Sequence, residues 1–269
     1  MSGYSPVEGL LVELRDGALH LELDRPDARN AIDDTMMAGL VDALDRAGRD
    51  EHVRVVVLSG RGEHFCAGAD IVARNTESSV RPRVGSIQRR LPSQAHRLIP
   101  LVVGVQVPVV CRVQGWAAGI GLHLAAGADF TVAADDARLW EPFAARGFTP
   151  DSGGTWLLPR LVGLARAREL LLLGRELDGA EAADWGLVHR AVPPGDLDAE
   201  VDALVARISS GPTVSLGLTK RLLLAAQTDP LDEQLHHEAL ALELSSRSDD
   251  FREGLAAFRE KRDPEFRGR

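Results

Sequence analysis

The chain predicts an α/β fold with a helical C-terminal region, and three observations carry that prediction. Predominantly apolar runs of the buried-strand type, Val53–Leu58 and Val109–Val113, each lead into a turn built of small residues. Helically spaced segments alternate with such runs through the first half of the chain. After the Pro193-Pro194 pair, the strongest boundary signal present, only helical spacing follows.

Taken in order, Leu10–Leu14 and Leu19–Leu23 alternate apolar and polar residues across Asp16-Gly17, a hairpin turn dipeptide. From Asp33 to Arg49 the residues Met37, Leu40, Val41 and Leu44 line one helical face. Val53–Ser59, Val107–Val113 and Phe130–Ala134 read as buried strands. Ile71–His96 is polar and arginine-rich, a loop expected to lead into a helix near Ile87–Val103. Helices are expected over Ser152–Leu161, Ala165–Leu173 and Gly179–Trp185, and a last strand over Leu187–Val192. Beyond the prolines, Asp196–Ile208, Thr213–Ala226, Asp232–Ser245 and Phe251–Arg259 read as helices with broad apolar faces that need a partner surface. The expected division is therefore 1–193 and 194–269.

Composition narrows the function classes. A chain of 269 residues, 45% hydrophobic and 26% charged, has the profile of a globular domain with an ample core. A net charge of −9 disfavours nucleic acid and anionic membranes as partners. No apolar run reaches the ~20 residues of a membrane span. The first eight residues lack the basic and apolar regions of a secretion signal. Two cysteines, Cys66 and Cys111, are too few for a disulfide framework, and a reducing, cytoplasmic setting is expected. Nothing in the sequence calls for a metal or a resident cofactor.

The chemistry concentrates at two corners. Phe65-Cys66-Ala67-Gly68-Ala69-Asp70 follows the first apolar run, and Gly115-Trp116-Ala117-Ala118-Gly119-Ile120-Gly121 follows the second. Each reads as strand, tight turn, helix start. Helix starts present unpaired N–H groups and a positive dipole end. Two that converge hold a developing oxyanion, which is enolate chemistry on a carbonyl.

Those corners belong to a longer series of blocks: Leu23–Ala31, Phe65–Ile71, Gly115–Gly121, Pro150–Gly154, Ala182–Val188 and Glu253–Phe266. In this order and spacing the chain resembles the crotonase, or enoyl-CoA hydratase/isomerase, superfamily. The resemblance implies a spiral of ββα units over 1–193 and a helical oligomerisation region over 194–269, building a trimer or a dimer of trimers. It implies an acyl thioester of coenzyme A as ligand, the coenzyme being part of the substrate. By position it assigns the backbone N–H groups of Ala67 and Ile120 to the oxyanion hole. Arg25, Ala28, Gly68, Ala69, Asp70, Ile71 and Lys261 fall where the family contacts the coenzyme.

The family's hydratases carry two glutamates; the matching positions here are His123 and Phe143. Hydration needs a water activated and a proton delivered, which two acid–base groups do and phenylalanine does not. Shifting a double bond needs one base. Asp151 is that candidate, and the segment Phe143–Trp156 looks like the ring-epoxide isomerases of phenylacetyl-CoA breakdown. Read on its own, an aspartate here is a helix cap. Glu141, held at Pro142, reads as structural, and apolar neighbours leave Cys66 no nucleophilic role. Trp116, Trp140 and Phe143 are expected to shape an acyl slot. Three readings stay open: an isomerase with Asp151 as the single acid/base, a hydratase using Asp151 with His123, and a non-catalytic acyl-CoA-binding homologue.

Overall fold

The Asp16-Gly17 dipeptide reverses the chain, with Asp16 at φ 49° and Gly17 at φ 79°, and pairs β1 (Leu10–Arg15) with β2 (Ala18–Leu23). The computed structural model describes residues 3–70 and 83–269. Residues 71–82, the first part of the expected Ile71–His96 loop and including Ile71, lie outside the described residues. A helix, α1 (Asp34–Ala47), opens on an Asp33 side chain that accepts from Met36 N–H, an N-cap bond worth about 1 kcal/mol. Its buried face includes Met36, Met37, Leu40, Val41 and Leu44. Then comes β3 (Val55–Gly60), in which Val55, Val56, Val57 and Leu58 are all buried. Consecutive buried residues mean that both faces of the strand are covered.

The expected helix near Ile87–Val103 is broken. It forms α2 (Ser86–Arg90), a 3-10 turn at Leu91–Ser93 and α3 (Ala95–Gly104). Pro92 lies in the turn and Gln94 takes a non-helical conformation (φ −124°, ψ −109°), so no continuous helix passes. Next come β4 (Val109–Val113), β5 (Trp116–Ala118), α4 (Ile120–Gly127), β6 (Phe130–Ala134) and β7 (Arg138–Trp140). The segments expected at Ser152–Leu161 and Ala165–Leu173 form α5 (Gly154–Leu173), two helical stretches that meet at a non-helical Gly163 (φ 78°, ψ 161°). After β8 (Leu177–Asp178) and α6 (Gly179–Asp184), β9 is only Arg190–Val192, because Leu187 and Val188 N–H turn back to Ala182 O. Four helices finish the chain: α7 (Leu197–Ser209), α8 (Thr213–Ala225), α9 (Leu231–Ser245) and α10 (Asp249–Glu260).

The main sheet runs β1-β2-β3-β4-β6-β9, parallel from β2 onward; β5, β7 and β8 make a small second sheet. The 193/194 boundary does not divide the core. Helix α7 packs on β3, β4 and β6 through buried Leu197 and Val201, and these belong to the same apolar cluster as the sheet. Helix α8 is tied down by Lys220, whose Nζ donates to Val102 O, Val107 O and Asp129 Oδ2 at 3.1, 3.3 and 2.6 Å. Leu235, Leu240, Leu242 and Leu244 of α9 and Phe258 of α10 remain exposed, so the apolar faces expected to need a partner are left bare in the single chain. Among the described residues no helix is long and apolar enough to cross a membrane, and no group of three metal-ligating side chains occurs.

Candidate active site

Strands β3 and β4 are hydrogen-bonded neighbours in register Val56↔Val109, and the chain keeps that pairing beyond their ends. Phe65 N–H donates to Gln114 O, Cys66 N–H to Trp116 O, and Ala118 N–H back to Cys66 O. The two small-residue corners are thereby zipped together. Both line one pocket, through Ala67, Gly68 and Ala69 on one side and Gly119 and Ile120 on the other. Met37, Leu91, Gln94, Ala95, Phe143, Arg146, Phe148 and Asp151 close it.

The structure corrects the expected donor at the first corner. Ala67 N–H is bonded to Arg29 O at 3.0 Å. The reason is a tight turn at 25–30 in which Arg29 and Asn30 are left-handed (φ 50° and 56°). Buried Asn30 docks that turn on the corner by donating to Arg61 O and His64 O, and Arg29 O then meets Ala67. Further along, Ile32 N–H donates to Gly68 O and Asp70 N–H to Ile32 O. Strand alternation therefore places the intervening Ala69 N–H on the other side of the chain. Among the described residues it donates to no other backbone group. At the second corner Ile120 is the first residue of α4, so its N–H has no intrahelical partner. The preceding Gly119 sits at φ 54°, ψ −122°, a conformation that a side chain disfavours.

Asp151 lies just before α5 and is the carboxylate among the pocket's lining residues. His96 Nε2–H donates to its carbonyl at 2.8 Å, and Ser152 Oγ–H donates to its Oδ1 at 3.1 Å. Phe143 lines the pocket as expected. It packs edge-on against Phe148 (5.3 Å, 88°) and stacks on His123 (5.9 Å, 11°).

Other expected positions lie elsewhere. His123 is fully buried and does not line the pocket; its Nδ1 meets Ser152 Oγ at 2.7 Å and its Nε2 meets Glu141 Oε1 at 2.8 Å. Trp116 and Trp140 pack on each other (6.1 Å, 57°) under Arg138 and Arg146, and Trp140 Nε1–H donates to Gly174 O. Neither lines the pocket, because β5 and β7 turn these rings to the far side of the small sheet from Ala117 and Leu139, which are wholly buried. Met37, Leu91 and Phe148 stand there instead. The Arg25 guanidinium is engaged internally, with Asp70 at 3.0 Å, Asp33 at 3.3 Å and Ala31 O at 2.8 Å. Ala28 belongs to the 3-10 turn Pro26–Ala28. Lys261 caps α10 in a left-handed conformation, exposed and outside this pocket. Burial pushes the Cys66 thiol up to about 12, in keeping with an unreactive side chain.

Sequence reasoning passed over Ser152 and treated Glu141 as structural. The available signal was the spacing of a buried histidine, a carboxylate and a hydroxyl around one corner, each of which demands a partner once buried.

Comparison with known proteins gives one answer. Residues 13–269 match the sequence model of the family described as enoyl-CoA hydratase/isomerase. The chain is 39% identical over 265 residues to 1,2-epoxyphenylacetyl-CoA isomerase of Escherichia coli strain K12, covering 98% of this chain and 100% of that one. It is 32% identical to crotonyl-CoA hydratase of Syntrophomonas wolfei over 96% of this chain and 98% of that one. The crystal structure of enoyl-CoA hydratase from Bacillus anthracis superposes with a TM-score of 0.90 at 30% identity, covering 97% of this chain and 100% of that chain.

Proposed function

The chain belongs to the enoyl-CoA hydratase/isomerase family, and within it we propose that this protein is an acyl-CoA isomerase in which Asp151 is the single acid/base. Acyl-CoA thioesters suit the family. The observation that carries the narrower reading is the composition of the pocket: both corners open into it, and Asp151 is the carboxylate that reaches it among the described residues.

The thioester oxygen is held between the N–H groups of Ile120 and Ala69. Asp151 removes a proton from the carbon next to the thioester carbonyl. The electron pair delocalises onto the oxygen as a dienolate, which the two amides stabilise. Asp151 then returns the proton two carbons further along, and the double bond moves into conjugation with no net gain or loss of atoms. Each oxyanion donor is worth about 3–4 kcal/mol of barrier, and a positioned base contributes about a hundred- to ten-thousandfold.

Geometry speaks against a hydratase in which His123 touches substrate or water. Both of its ring nitrogens are engaged, and the Phe143 ring lies against it. The 39% relative named 1,2-epoxyphenylacetyl-CoA isomerase, together with Phe143 and Phe148 on the pocket wall, favours an acyl group of cyclic or aromatic origin. The exposed leucines of α9 favour a homo-oligomer.

The test is Asp151→Asn assayed with a panel of 3-enoyl-CoA thioesters and the ring-epoxide of phenylacetyl-CoA. Exchange of the α-hydrogen with solvent deuterium is expected to disappear while thioester binding survives. Undiminished exchange in that variant overturns the reading. A wild-type protein that binds the thioesters but exchanges none of them favours a non-catalytic acyl-CoA-binding protein instead.

A further inference from the structure

We infer that Glu141, His123 and Ser152 form a buried positioning chain that keeps one oxygen of Asp151 occupied as a hydrogen-bond acceptor, so that the other faces the substrate. The inference rests on Asp151 being the base and concerns how it is held. The chain is continuous. Glu141 Oε1 lies 2.8 Å from His123 Nε2, His123 Nδ1 lies 2.7 Å from Ser152 Oγ, and Ser152 Oγ lies 3.1 Å from Asp151 Oδ1. His123, Glu141 and Ser152 are all at most 1% exposed, whereas Asp151 is partly exposed at the pocket. The first three therefore have no water to fall back on, and their hydrogen bonds have to be made with one another.

Proton bookkeeping fixes the polarity. An ionised Asp151 is acceptor-only, so the single hydroxyl proton of Ser152 has to point at it. The hydroxyl oxygen is then left as an acceptor toward His123, and Nδ1 has to carry a hydrogen. A histidine nitrogen is set by what its other nitrogen does. Here that is Glu141, which either donates to Nε2 as a carboxylic acid or accepts from Nε2–H of an imidazolium. Both arrangements leave Nδ1–H donating. The third arrangement, a neutral ring with a bare Nδ1, turns the Ser152 hydroxyl away from Asp151. It would place two unshared oxygens 3.1 Å apart. With Asp151 ionised, the chain is thus satisfied only in the arrangements of the Glu141–His123 pair that put a hydrogen on Nδ1.

The packing supports a dedicated arrangement. Phe143 stacks on the His123 ring from the pocket side. On another side a Cβ at Gly154 would fall 2.2 Å from Nε2. The ring is clamped, and its only polar contacts among the described residues are the two members of this chain.

The experiment compares Ser152→Ala, His123→Gln, the double variant and Asp151→Asn, using the thioester that wild type turns over fastest. Turnover, KM and thermal melting are measured for each. Ser152→Ala is expected to lower kcat about tenfold with KM unchanged, the scale of one hydrogen bond to a charged group. His123→Gln is expected to do the same. Because the histidine acts only through the serine, the double variant is expected to be no slower than the slower single variant. Two results overturn the inference while leaving the base assignment standing: an inactive Asp151→Asn beside a Ser152→Ala of wild-type kcat, or losses that multiply in the double variant. An active Asp151→Asn overturns the base assignment itself. A variant that melts early but keeps its kcat also counts against a positioning role.

Discussion

His123 and Glu141 face each other across 2.8 Å with neither exposed by more than 1%. They sit on different elements, α4 and the segment after β7, and Gly154 at the start of α5 packs against the ring. A Cβ there would fall 2.2 Å from Nε2 and 2.9 Å from Cε1. The backbone at Gly154 does not need glycine; the space does. Gly154→Ala is therefore expected to push the imidazole off Glu141. It should cost about 1–3 kcal/mol by overpacking and lower kcat as Ser152→Ala does. Urea unfolding and turnover measure both, and a variant of wild-type stability would show that the ring can yield.

The ion pair under α8, between buried Lys220 and partly exposed Asp129, gives a second prediction. Burial pushes the Lys220 ammonium down and the Asp129 carboxyl up, and their 2.6 Å contact opposes both shifts. Lys220→Met leaves the Asp129 carboxylate without a cationic partner, held by backbone N–H groups such as that of Val109. A loss of about 1–3 kcal/mol is expected, less than for a fully buried pair because the Asp129 side chain keeps 24% exposure. The double variant with Asp129→Asn is expected to recover part of it. Equal losses in the single and double variants would show that the carboxylate is not stranded.

Both thiols are expected to resist alkylation at pH 8 in the folded protein and to react once unfolded. Burial pushes Cys66 up to about 12 and Cys111 higher still. A raised value means that the folded chain holds its proton more tightly than the unfolded one. The associated stability is thus intact below the ordinary thiol value of 9.0 and is lost as pH rises from there toward about 12. Denaturant midpoints across that range measure the slope; a midpoint that climbs with pH would contradict it.

Acid should act on the C-terminal segment. Hydrogen bonds from Arg262, and then from Glu265 N–H, hold the Glu253 carboxyl down at about 2. A lowered value gives stability that is present above the ordinary 4.5 and is lost as pH falls through about 2. Hydrogen exchange at the Glu265 amide is expected to quicken, relative to its intrinsic rate, over that descent. Added salt should weaken the contact at neutral pH, since these groups are exposed. Protection that is constant from pH 5 to pH 2 would show that the contact does not depend on charge.

Much of the architecture was readable because its causes are local. Asp16-Gly17 dictates a hairpin and uninterrupted valines dictate a strand covered on both faces, whereas the break at Pro92 went unread in the helix expected near Ile87–Val103. The two corners were readable because small residues after a strand have few other uses. What escaped was set by distant contacts. Nothing near Ala67 announces that its N–H will meet Arg29 O; that follows from two left-handed residues and from Asn30 reaching across to His64. The tryptophans looked like pocket walls because aromatic residues beside a corner suit that role, yet the strand period faces them toward each other. His123 reads as a lone histidine in an apolar helix, and its meaning lies in residues that arrive from two later elements.

The corners themselves ride on adjacent strands joined by main-chain bonds from Val56 through Ala118. Their separation is accordingly a property of sheet spacing, about 4.8 Å between neighbours, and no side chain sets it. A lineage built on this frame is expected to keep the spacing of its two corners through changes of the surrounding wall, as long as Gly115, Gly119 and Gly121 keep the backbone close. On the proposal that Asp151 is the base, changing which wall residue carries a proton is then expected to change the reaction while the frame stays.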